Sequence, residues 1–323
     1  MPIRCDLNFR GENHMGSGCV LDLLKKKQGK TLDREDKHMD IVWKRKGNSE
    51  VLKKRERNGV PYLTFPAFDE ISGIVHGFST RYGGVSTEEL FSMNLSFSRE
   101  KKKENVMENF RRIGKAIGFS IDQLVLSDQT HTTNVREVTE QDRGKGIVRS
   151  RDYSDVDGLV TNQPGVVLAT FYADCVPLFF VDPVKKAIGL SHSGWRGTVN
   201  KIGAVTIRKM QELYKSDPKD IIAAIGPSIC QDCYEVSEDV IEQFRANFDT
   251  DIQKELYYRK ENGKYQLNLW KANEEVFKES GILPDHISVT DLCTCCNSEA
   301  LYSHRASHGK RGNLGAFLGL KEE

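Results

Sequence analysis

Two neighbouring apolar segments decide how this chain folds: GVVLATFYADCVPLFFVDP, residues 165–183, and AIGLSHSGWRGTV, residues 187–199. Both are rich in β-branched and aromatic residues, as buried strands usually are. The Asp182-Pro183 step between them favours a turn, so we predict that the two segments pair as a hairpin. The pairing would bring Cys175 close to His192.

The second segment ends in a histidine that is followed at once by a glycine-rich turn. Gly194 and Gly197 flank Trp195 and Arg196, which predicts a tight passage from strand to helix. A histidine at the end of a strand, facing such a turn, is well placed for chemistry. An ordinary hydrogen-bonded histidine could occupy the same position.

The remaining patterns predict a domain in which strands and helices are mixed without a regular repeat. Residues 101–118 have the periodicity of a helix that ends at Gly118. A second helix is expected to begin after Gly197 and to bury residues as far as Leu213, and a third to begin after Ser237. We therefore predict an α+β (mixed α/β) fold, a single layered domain with a mixed β-sheet core spanning residues 59–323.

Residues 1–58 differ from the rest of the chain in charge. They contain 15 Lys/Arg and 9 Asp/Glu, whereas the whole chain has a net charge of only +1. We expect them to form a basic, poorly ordered N-terminal extension. Because the net charge of the whole chain is close to zero, we expect no general attraction to nucleic acid. No apolar run in the sequence is long enough to cross a bilayer. Without the apolar core of a signal peptide, the chain is expected to be cytoplasmic.

His131, in SDQTHTTN, joins Cys175 and His192 as a third polar residue at the end of an apolar strand. Two histidines and one cysteine would give a zinc ion three protein ligands and leave one position open, as in catalytic zinc sites. The spacing matches no short motif, so two other interpretations stay open. Cys175 and His192 could form a nucleophilic pair, or all three could be ordinary buried residues.

Six segments in order resemble a known family: HGFSTRYGGVS, DQTH, ADCVPLFFVDP, AIGLSHSGWRGTV, AIGPSI and YSHRASHGKRGNLGAFLGL. This is the family once called multicopper polyphenol oxidases or laccase-domain proteins. Its members are now described as purine nucleoside phosphorylases, and some as peptidoglycan editing factors. The resemblance extends from about residue 62 to the end of the sequence given.

The resemblance implies that His131, Cys175 and His192 are catalytic and hold Zn²⁺, with Cu²⁺ as the alternative metal. It also implies phosphorolysis of adenosine, inosine and S-methyl-5'-thioadenosine to the free base and a (methylthio)ribose 1-phosphate. Adenosine deaminase activity in the same pocket is implied as well. Purine nucleosides and phosphate are then the expected partners.

Three further residues are candidates for substrate binding. Arg81 lies in the loop STRYGGVS, where a guanidinium and backbone N–H groups freed by glycine could bind phosphate. Asp174 and Arg196 lie close in sequence to two of the candidate ligands, Cys175 and His192, so they could orient a ligand or the substrate.

Three alternative hypotheses concern the function of the chain and the use of its cysteines. A multicopper oxidase needs many histidines in His-x-His pairs, whereas this chain has eight histidines and no such pair. A Cys–His hydrolase, including an enzyme that edits peptidoglycan precursors, would need no metal. The clusters Cys230/Cys233 and Cys293/Cys295/Cys296 could form a structural zinc site or a redox switch.

Overall fold

The strands of the protein form two large sheets, in a computed structural model that describes residues 41–47 and 51–322. In chain order the strands are β1 (Lys53–Arg57), β2 (Val60–Thr64), β3 (Ile74–Ser79), β4 (Leu124–Leu126), β5 (Val135–Glu137), β6 (Gly158–Thr161), β7 (Val167–Tyr172), β8 (Val176–Asp182), β9 (Ala187–Ser193), β10 (Ile222–Ile225), β11 (Glu235–Val236), β12 (Tyr257–Arg259), β13 (Tyr265–Leu267), β14 (Ile287–Val289) and β15 (Leu314–Leu320). The α-helices of the same residues are α1 (Pro66–Asp69), α2 (Lys103–Ile117), α3 (Trp195–Val199), α4 (Ile202–Tyr214), α5 (Glu238–Asn247), α6 (Thr250–Leu256) and α7 (Leu269–Glu279).

Each large sheet has six strands and mixes parallel with antiparallel pairs. Sheet A has the order β1-β2-β3-β15-β7-β4, and sheet B has the order β14-β10-β8-β9-β6-β5. A small third sheet has the order β11-β13-β12. The mixed α/β class predicted from the sequence is confirmed. The number of sheets was not predicted, because which strands pair depends on contacts between residues distant in sequence.

The two large sheets pack face to face and helices cover their outer faces. The central core joins side chains of sheet A, such as Phe78 and Leu168, to side chains of sheet B, such as Phe179 and Leu190. Helices α4 and α7 cover the outer face of sheet B, α5 packs beside them against β13 of the third sheet, and α2 covers the outer face of sheet A. β8 is buried along its whole length, as expected for a strand covered on both faces.

Helix α2 agrees closely with its sequence pattern. Val106, Phe110 and Ile113 are buried on one face, and Gly118 ends the helix in the left-handed conformation with φ of 112°. The helix expected after Gly197 begins earlier, at Trp195, and the helical region is split into α3 and α4. The expectation that Leu213 is buried was wrong: its side chain is 36% exposed, because it lies in the last turn of α4, away from the sheet.

The ordered structure begins before residue 59. β1 lies inside the segment assigned to the N-terminal extension and pairs antiparallel with β2, from Lys53 opposite Thr64 to Arg57 opposite Val60. Farther upstream, Arg45 forms an ion pair with Asp291 at 2.7 Å. The part of the proposed extension before residue 41 lies outside the described residues.

Two buried polar side chains organise the region around β3 and α2. Asn109 on α2 accepts a hydrogen bond from the Val85 N–H at 2.8 Å, and its amide donates to the carbonyls of Ser92 and Asn94. These bonds satisfy the polar backbone of the loop that follows β3.

His76 on β3 is the second buried polar side chain. Its Nε2 accepts a hydrogen bond from the Phe65 N–H at 2.9 Å, which requires the neutral imidazole at that nitrogen. Burial lowers the pKa of His76 to about 4, although Asp69 opposes the shift and Arg55 adds slightly to it.

Among the described residues, no helix combines the length and the apolar character that crossing a membrane requires.

Candidate metal centre and cavity

The predicted hairpin is present and positions two of the three candidate ligands. β8 and β9 pair antiparallel, with Val176 opposite Ser193 and Pro177 opposite His192. Cys175 immediately precedes β8, so its thiol lies beside the end of β9. The prediction that Cys175 and His192 are neighbours is confirmed.

His131 reaches the same place from the loop after β4. Its backbone has a positive φ of 67°, which is uncommon for a residue other than glycine. Asp157 stabilises this conformation, because its carboxylate accepts hydrogen bonds from the backbone N–H groups of Thr130, His131 and Thr132 at 3.1, 3.1 and 2.8 Å. One buried carboxylate therefore fixes the loop that carries His131.

The same carboxylate also orients the second histidine. Asp157 Oδ1 lies 2.8 Å from Nδ1 of His192, and the Asp157 side chain is fully buried. This bond assigns a proton to Nδ1 and leaves Nε2 as the nitrogen available to a metal. Sequence reasoning missed Asp157. The available signal was an Asp-Gly pair at the start of a buried strand, combined with the rule that ligand histidines usually have a carboxylate partner.

The three candidate ligands converge as a metal site requires. One ligand atom from each of His131, Cys175 and His192 lies within 4.8 Å of the other two. The Cys175 Sγ is 3.9 Å from His131 Nε2, and the two imidazole rings are 4.9 Å apart between centroids. Neutral imidazole and thiolate are preferred ligands of zinc, and a set of three leaves a position for substrate.

Gly194 leaves the space that this arrangement needs. A Cβ atom at this position would lie 2.9 Å from Cδ2 of His131 and 3.2 Å from Sγ of Cys175. At Gly197, in the same GWRG turn, the nearest atoms to an added Cβ would be 3.4 Å away, which is ordinary contact. The space at Gly194 is therefore needed by the two candidate ligands, whereas Gly197 has no comparable contact with them.

The electrostatic environment favours a thiolate even without a metal. Burial raises the pKa of the Cys175 thiol, but the charge of His192 and hydrogen bonds from both histidines outweigh it and lower the pKa to about 6. Burial lowers the pKa of His192, but the Cys175 thiolate and Asp157 raise it to about 9. The pKa of Asp157 falls to about 2, because hydrogen bonds from His192 and Thr132 exceed the effect of burial.

The three residues lie in the wall of a cavity of about 550 Å³, a volume typical of small-molecule sites. Leu95, Phe97 and Phe171 provide an apolar part of the wall. Polar side chains complete it: Ser96, Ser98, Ser127, Asp128, Gln129, Arg151, Arg311 and Asn313.

The other three predicted site residues do not line this cavity. Arg81 donates from Nε to the Phe91 carbonyl and from Nη1 to the Ser298 carbonyl, both at 2.9 Å, and stacks on Tyr302. Its guanidinium therefore joins two loops of the protein. This geometry does not support its predicted role in binding phosphate.

Asp174 and Arg196 also have contacts of their own. Asp174 accepts hydrogen bonds from the Thr294 hydroxyl at 2.6 Å and from the Arg305 N–H at 2.7 Å, and so connects the turn before Cys175 to two later loops. Arg196 stacks on Trp195, with its guanidinium 4.4 Å from the ring centroid.

Arg311 is the cationic residue that sequence reasoning undervalued. It lines the cavity together with the three candidate ligands. Its Nη1 donates to the Gly312 carbonyl and to Asn313, whereas its buried Nε–H has no partner among the described residues. Burial and the nearby Arg99 lower the pKa of Arg311 to about 10, so it remains charged at neutral pH. His304 and His308, in the same loop, are exposed.

A second group of possible ligands lies apart from the cavity wall. Cys230, Cys233, Cys293 and Cys296 bring their sulfur atoms within 4.8 Å of one another. Cys295, which the sequence grouped with them, is not part of the set. These four cysteines could hold a metal ion.

Comparison with known proteins agrees with the resemblance noted in the sequence. Residues 75–321 match the family model described as multi-copper polyphenol oxidoreductase laccase. The purine nucleoside phosphorylase YlmD of Bacillus subtilis is 39% identical over 77% of this chain and 89% of its own length. A purine nucleoside phosphorylase of Deinococcus radiodurans is 36% identical over 81% of this chain and 94% of its own.

A solved structure supports the same relationship. The crystal structure of YlmD from Geobacillus stearothermophilus superposes with a TM-score of 0.77 and 32% identity, over 84% of this chain and 99% of that one. Together, these matches show that the chain belongs to the multi-copper polyphenol oxidoreductase laccase family, several of whose members are named purine nucleoside phosphorylases.

Proposed function

We propose that this protein is a zinc-dependent purine nucleoside phosphorylase that also deaminates adenosine. The expected substrates are adenosine, inosine and S-methyl-5'-thioadenosine, each cleaved with phosphate to the free base and the sugar 1-phosphate. The observation that carries the proposal is the convergence of His131, Cys175 and His192 in the wall of a cavity of nucleoside size. The names of the relatives support the same reaction class.

The residues fit a zinc ion. His192 is oriented through Nδ1 by Asp157, Cys175 favours the thiolate form, and Gly194 leaves room between the ligands. When bound, zinc would supply a Lewis acid beside the substrate, able to polarise an oxygen or activate water. Copper binds the same ligand types, so metal analysis must identify the ion.

Arg311 is the proposed phosphate-binding residue in place of Arg81. Phosphate needs cationic hydrogen-bond donors, and Arg311 combines a positive charge with an N–H that has no acceptor among the residues the structure describes. The Ser96 and Ser98 hydroxyls are 3.1 Å apart in the same cavity and could donate further bonds. An anion held there would lie in the same chamber as the three ligands.

The apolar part of the wall suits the purine. Leu95, Phe97 and Phe171 offer a hydrophobic surface, and a base bound against it would have its sugar directed toward the polar residues. Holding both reactants in one chamber supplies catalysis by proximity and orientation, because phosphate and the sugar carbon are brought together.

The test is incubation of purified, zinc-loaded protein with adenosine, with and without phosphate, and identification of products by mass. We expect adenine and ribose 1-phosphate only when phosphate is present, and inosine in both conditions. Arg311→Gln should raise the KM for phosphate at least tenfold while changing the KM for inosine little. Arg81→Ala should lower stability without a selective effect on phosphate. Failure to turn over any of the three nucleosides would refute the proposal.

One observation favours a second candidate, a Cys–His hydrolase acting on a substrate such as a peptidoglycan precursor. The lowered pKa of Cys175 beside His192 is the pattern of an activated thiol nucleophile. Treatment with a chelator separates the two functions, because the hydrolase would stay active and the phosphorylase would not. For a multicopper polyphenol oxidase, the described residues offer only one metal-ligand group that contains histidine.

A further inference from the structure

The four-cysteine cluster, Cys230, Cys233, Cys293 and Cys296, has the ligand spacing of a structural zinc site. It consists of two Cys-x-x-Cys pairs, separated by 59 intervening residues in the sequence. This double pair is characteristic of zinc sites in which four thiolates complete the coordination.

The fold brings the two pairs together from adjacent strands. β10 and β14 are parallel neighbours in sheet B, and their pairing continues past the strands in a bridge between Ser228 and Cys293. The chain then turns twice, once after each strand, and each turn carries one cysteine pair. Because the carboxyl ends of two neighbouring parallel strands lie side by side, the two turns that follow β10 and β14 face each other.

The distances suit a tetrahedral tetrathiolate ion. With zinc about 2.3 Å from each sulfur, tetrahedral geometry separates the sulfurs by about 3.8 Å. The Sγ atoms of Cys233 and Cys296 are 3.5 Å apart, and all four lie within 4.8 Å. A disulfide would require about 2.05 Å between two sulfurs. Cys230 and Cys293 are buried, and the other two are partly buried.

The surroundings are those of thiolate ligands. The backbone N–H groups of Cys230 and Cys296 donate to Sγ of Cys293 at 3.3 and 3.4 Å. The ammonium group of Lys46 is paired mainly with Asp232 at 2.8 Å and in addition interacts favourably with Cys230 and Cys296. Such N–H···S bonds and a nearby cation are needed where a buried sulfur carries charge.

The cluster is also connected by hydrogen bonds to the segment that carries Cys175 in the cavity wall. Its turns hold Asp174, the residue before Cys175, through the Thr294 hydroxyl and through the Ile229 N–H, which donates to the Asp174 carbonyl at 3.0 Å. Arg305 adds a third connection, since its backbone N–H binds Asp174 and its Nη1 donates to the Cys233 carbonyl at 3.0 Å.

We propose that Cys230, Cys233, Cys293 and Cys296 bind a structural zinc ion that fixes the two turns supporting Asp174 and Cys175. The site is separate from the proposed catalytic metal, and the inference does not rest on the proposed nucleoside chemistry. Cys295 is excluded, and it serves as an internal control only one residue from a ligand.

The experiment measures metal content and thiol protection in the full chain purified without chelators. Elemental analysis should find two zinc ions per chain in the wild type and in Cys295→Ser, and one in Cys233→Ser. Cobalt substituted into the His131→Ala variant should give the intense sulfur-to-cobalt charge-transfer bands of a tetrathiolate site. Loss of the metal should lower the melting temperature.

Differential alkylation of the wild type keeps the test decisive if Cys233→Ser does not fold. We expect the four cluster cysteines to be protected until a strong chelator is added, whereas Cys295 reacts from the start. Equal zinc content in the wild type and in Cys233→Ser, iron in place of zinc at the cluster, or a Cys233–Cys296 disulfide in peptide mass spectra would each overturn the proposal.

Discussion

Replacing Asp157 by Asn should weaken metal binding at the His131/Cys175/His192 site by about 10- to 100-fold, the usual effect of losing a carboxylate behind a ligand histidine. The structure explains this range. Asp157 Oδ2 accepts from Thr130 and Thr132, and Oδ1 accepts from His131 and His192. An amide that keeps its oxygen toward the threonines turns its NH₂ toward Nδ1 of His192. The imidazole proton would then move to Nε2, the nitrogen that a metal requires.

The loss corresponds to about 1.4–2.7 kcal/mol of binding free energy. Zinc affinity would be measured by competition with a chromophoric chelator, and the binding phase of this site is the one abolished by His131→Ala. Asp155→Asn is the matched control, since in the described part of the chain its carboxylate accepts a hydrogen bond only from the Thr130 hydroxyl of the same loop. If Asp157→Asn remained folded and bound zinc in this phase as tightly as the wild type, the argument from histidine orientation would be refuted.

Three further predictions follow from buried contacts. Gly194→Ala should lower kcat/KM for nucleoside phosphorolysis roughly 100-fold, because the added methyl group would displace the proposed metal ligands. Gly197→Ala should change kcat/KM little, and steady-state kinetics would compare the two variants. His76→Gln should flatten the acid dependence of stability: the wild-type pKa of about 4 lies below the ordinary 6.5, so the free energy of unfolding falls by roughly 3 kcal/mol as pH drops from 6.5 to 4. Asn109→Ala should cost about 3 kcal/mol in urea unfolding, because it removes the acceptor of the buried Val85 N–H and the donor to the Asn94 carbonyl, whereas the Ser92 carbonyl keeps its bond from the Ser86 N–H.

Each of these outcomes has a counterpart that would contradict it. An equal loss of kcat/KM in Gly194→Ala and Gly197→Ala would show that activity depends on the backbone of this segment and not on the space beside His131 and Cys175. Parallel pH curves for the wild type and His76→Gln would show that the pKa of His76 in the folded protein is not lowered below its ordinary value. An unchanged urea midpoint for Asn109→Ala would mean that water replaces the lost hydrogen bonds.

Local patterns in the sequence were enough to predict the hairpin and helix α2. The Asp182-Pro183 turn forces its flanking strands to pair, and the period of Val106, Phe110 and Ile113 specifies a buried helix face. The division of the strands into two sheets was beyond this reasoning, because it depends on pairings such as that of β15 with β3 and β7, far apart along the chain.

The candidate site, too, could be predicted from the sequence only in part. His131, Cys175 and His192 could be proposed because each lies at the end of an apolar strand. The roles of Arg81 and Arg311 could not be distinguished from the sequence, because both arginines lie in segments that contain glycine. What distinguishes the two arginines is the set of carbonyls around each guanidinium. Carbonyls accept from Nε and Nη1 of Arg81, whereas Nε of Arg311 has no acceptor within residues 41–47 and 51–322.

The position of β15 has a consequence for how the protein is made. This strand, the last along the described chain, lies in the interior of sheet A between β3 and β7, and Arg311 and Asn313 directly precede it. A nascent polypeptide on the ribosome therefore cannot complete that sheet, or finish the chamber wall, until residue 320 has left the exit tunnel. Until then β3 and β7 each expose an unpaired edge, a state in which chaperones would be expected to engage the growing chain.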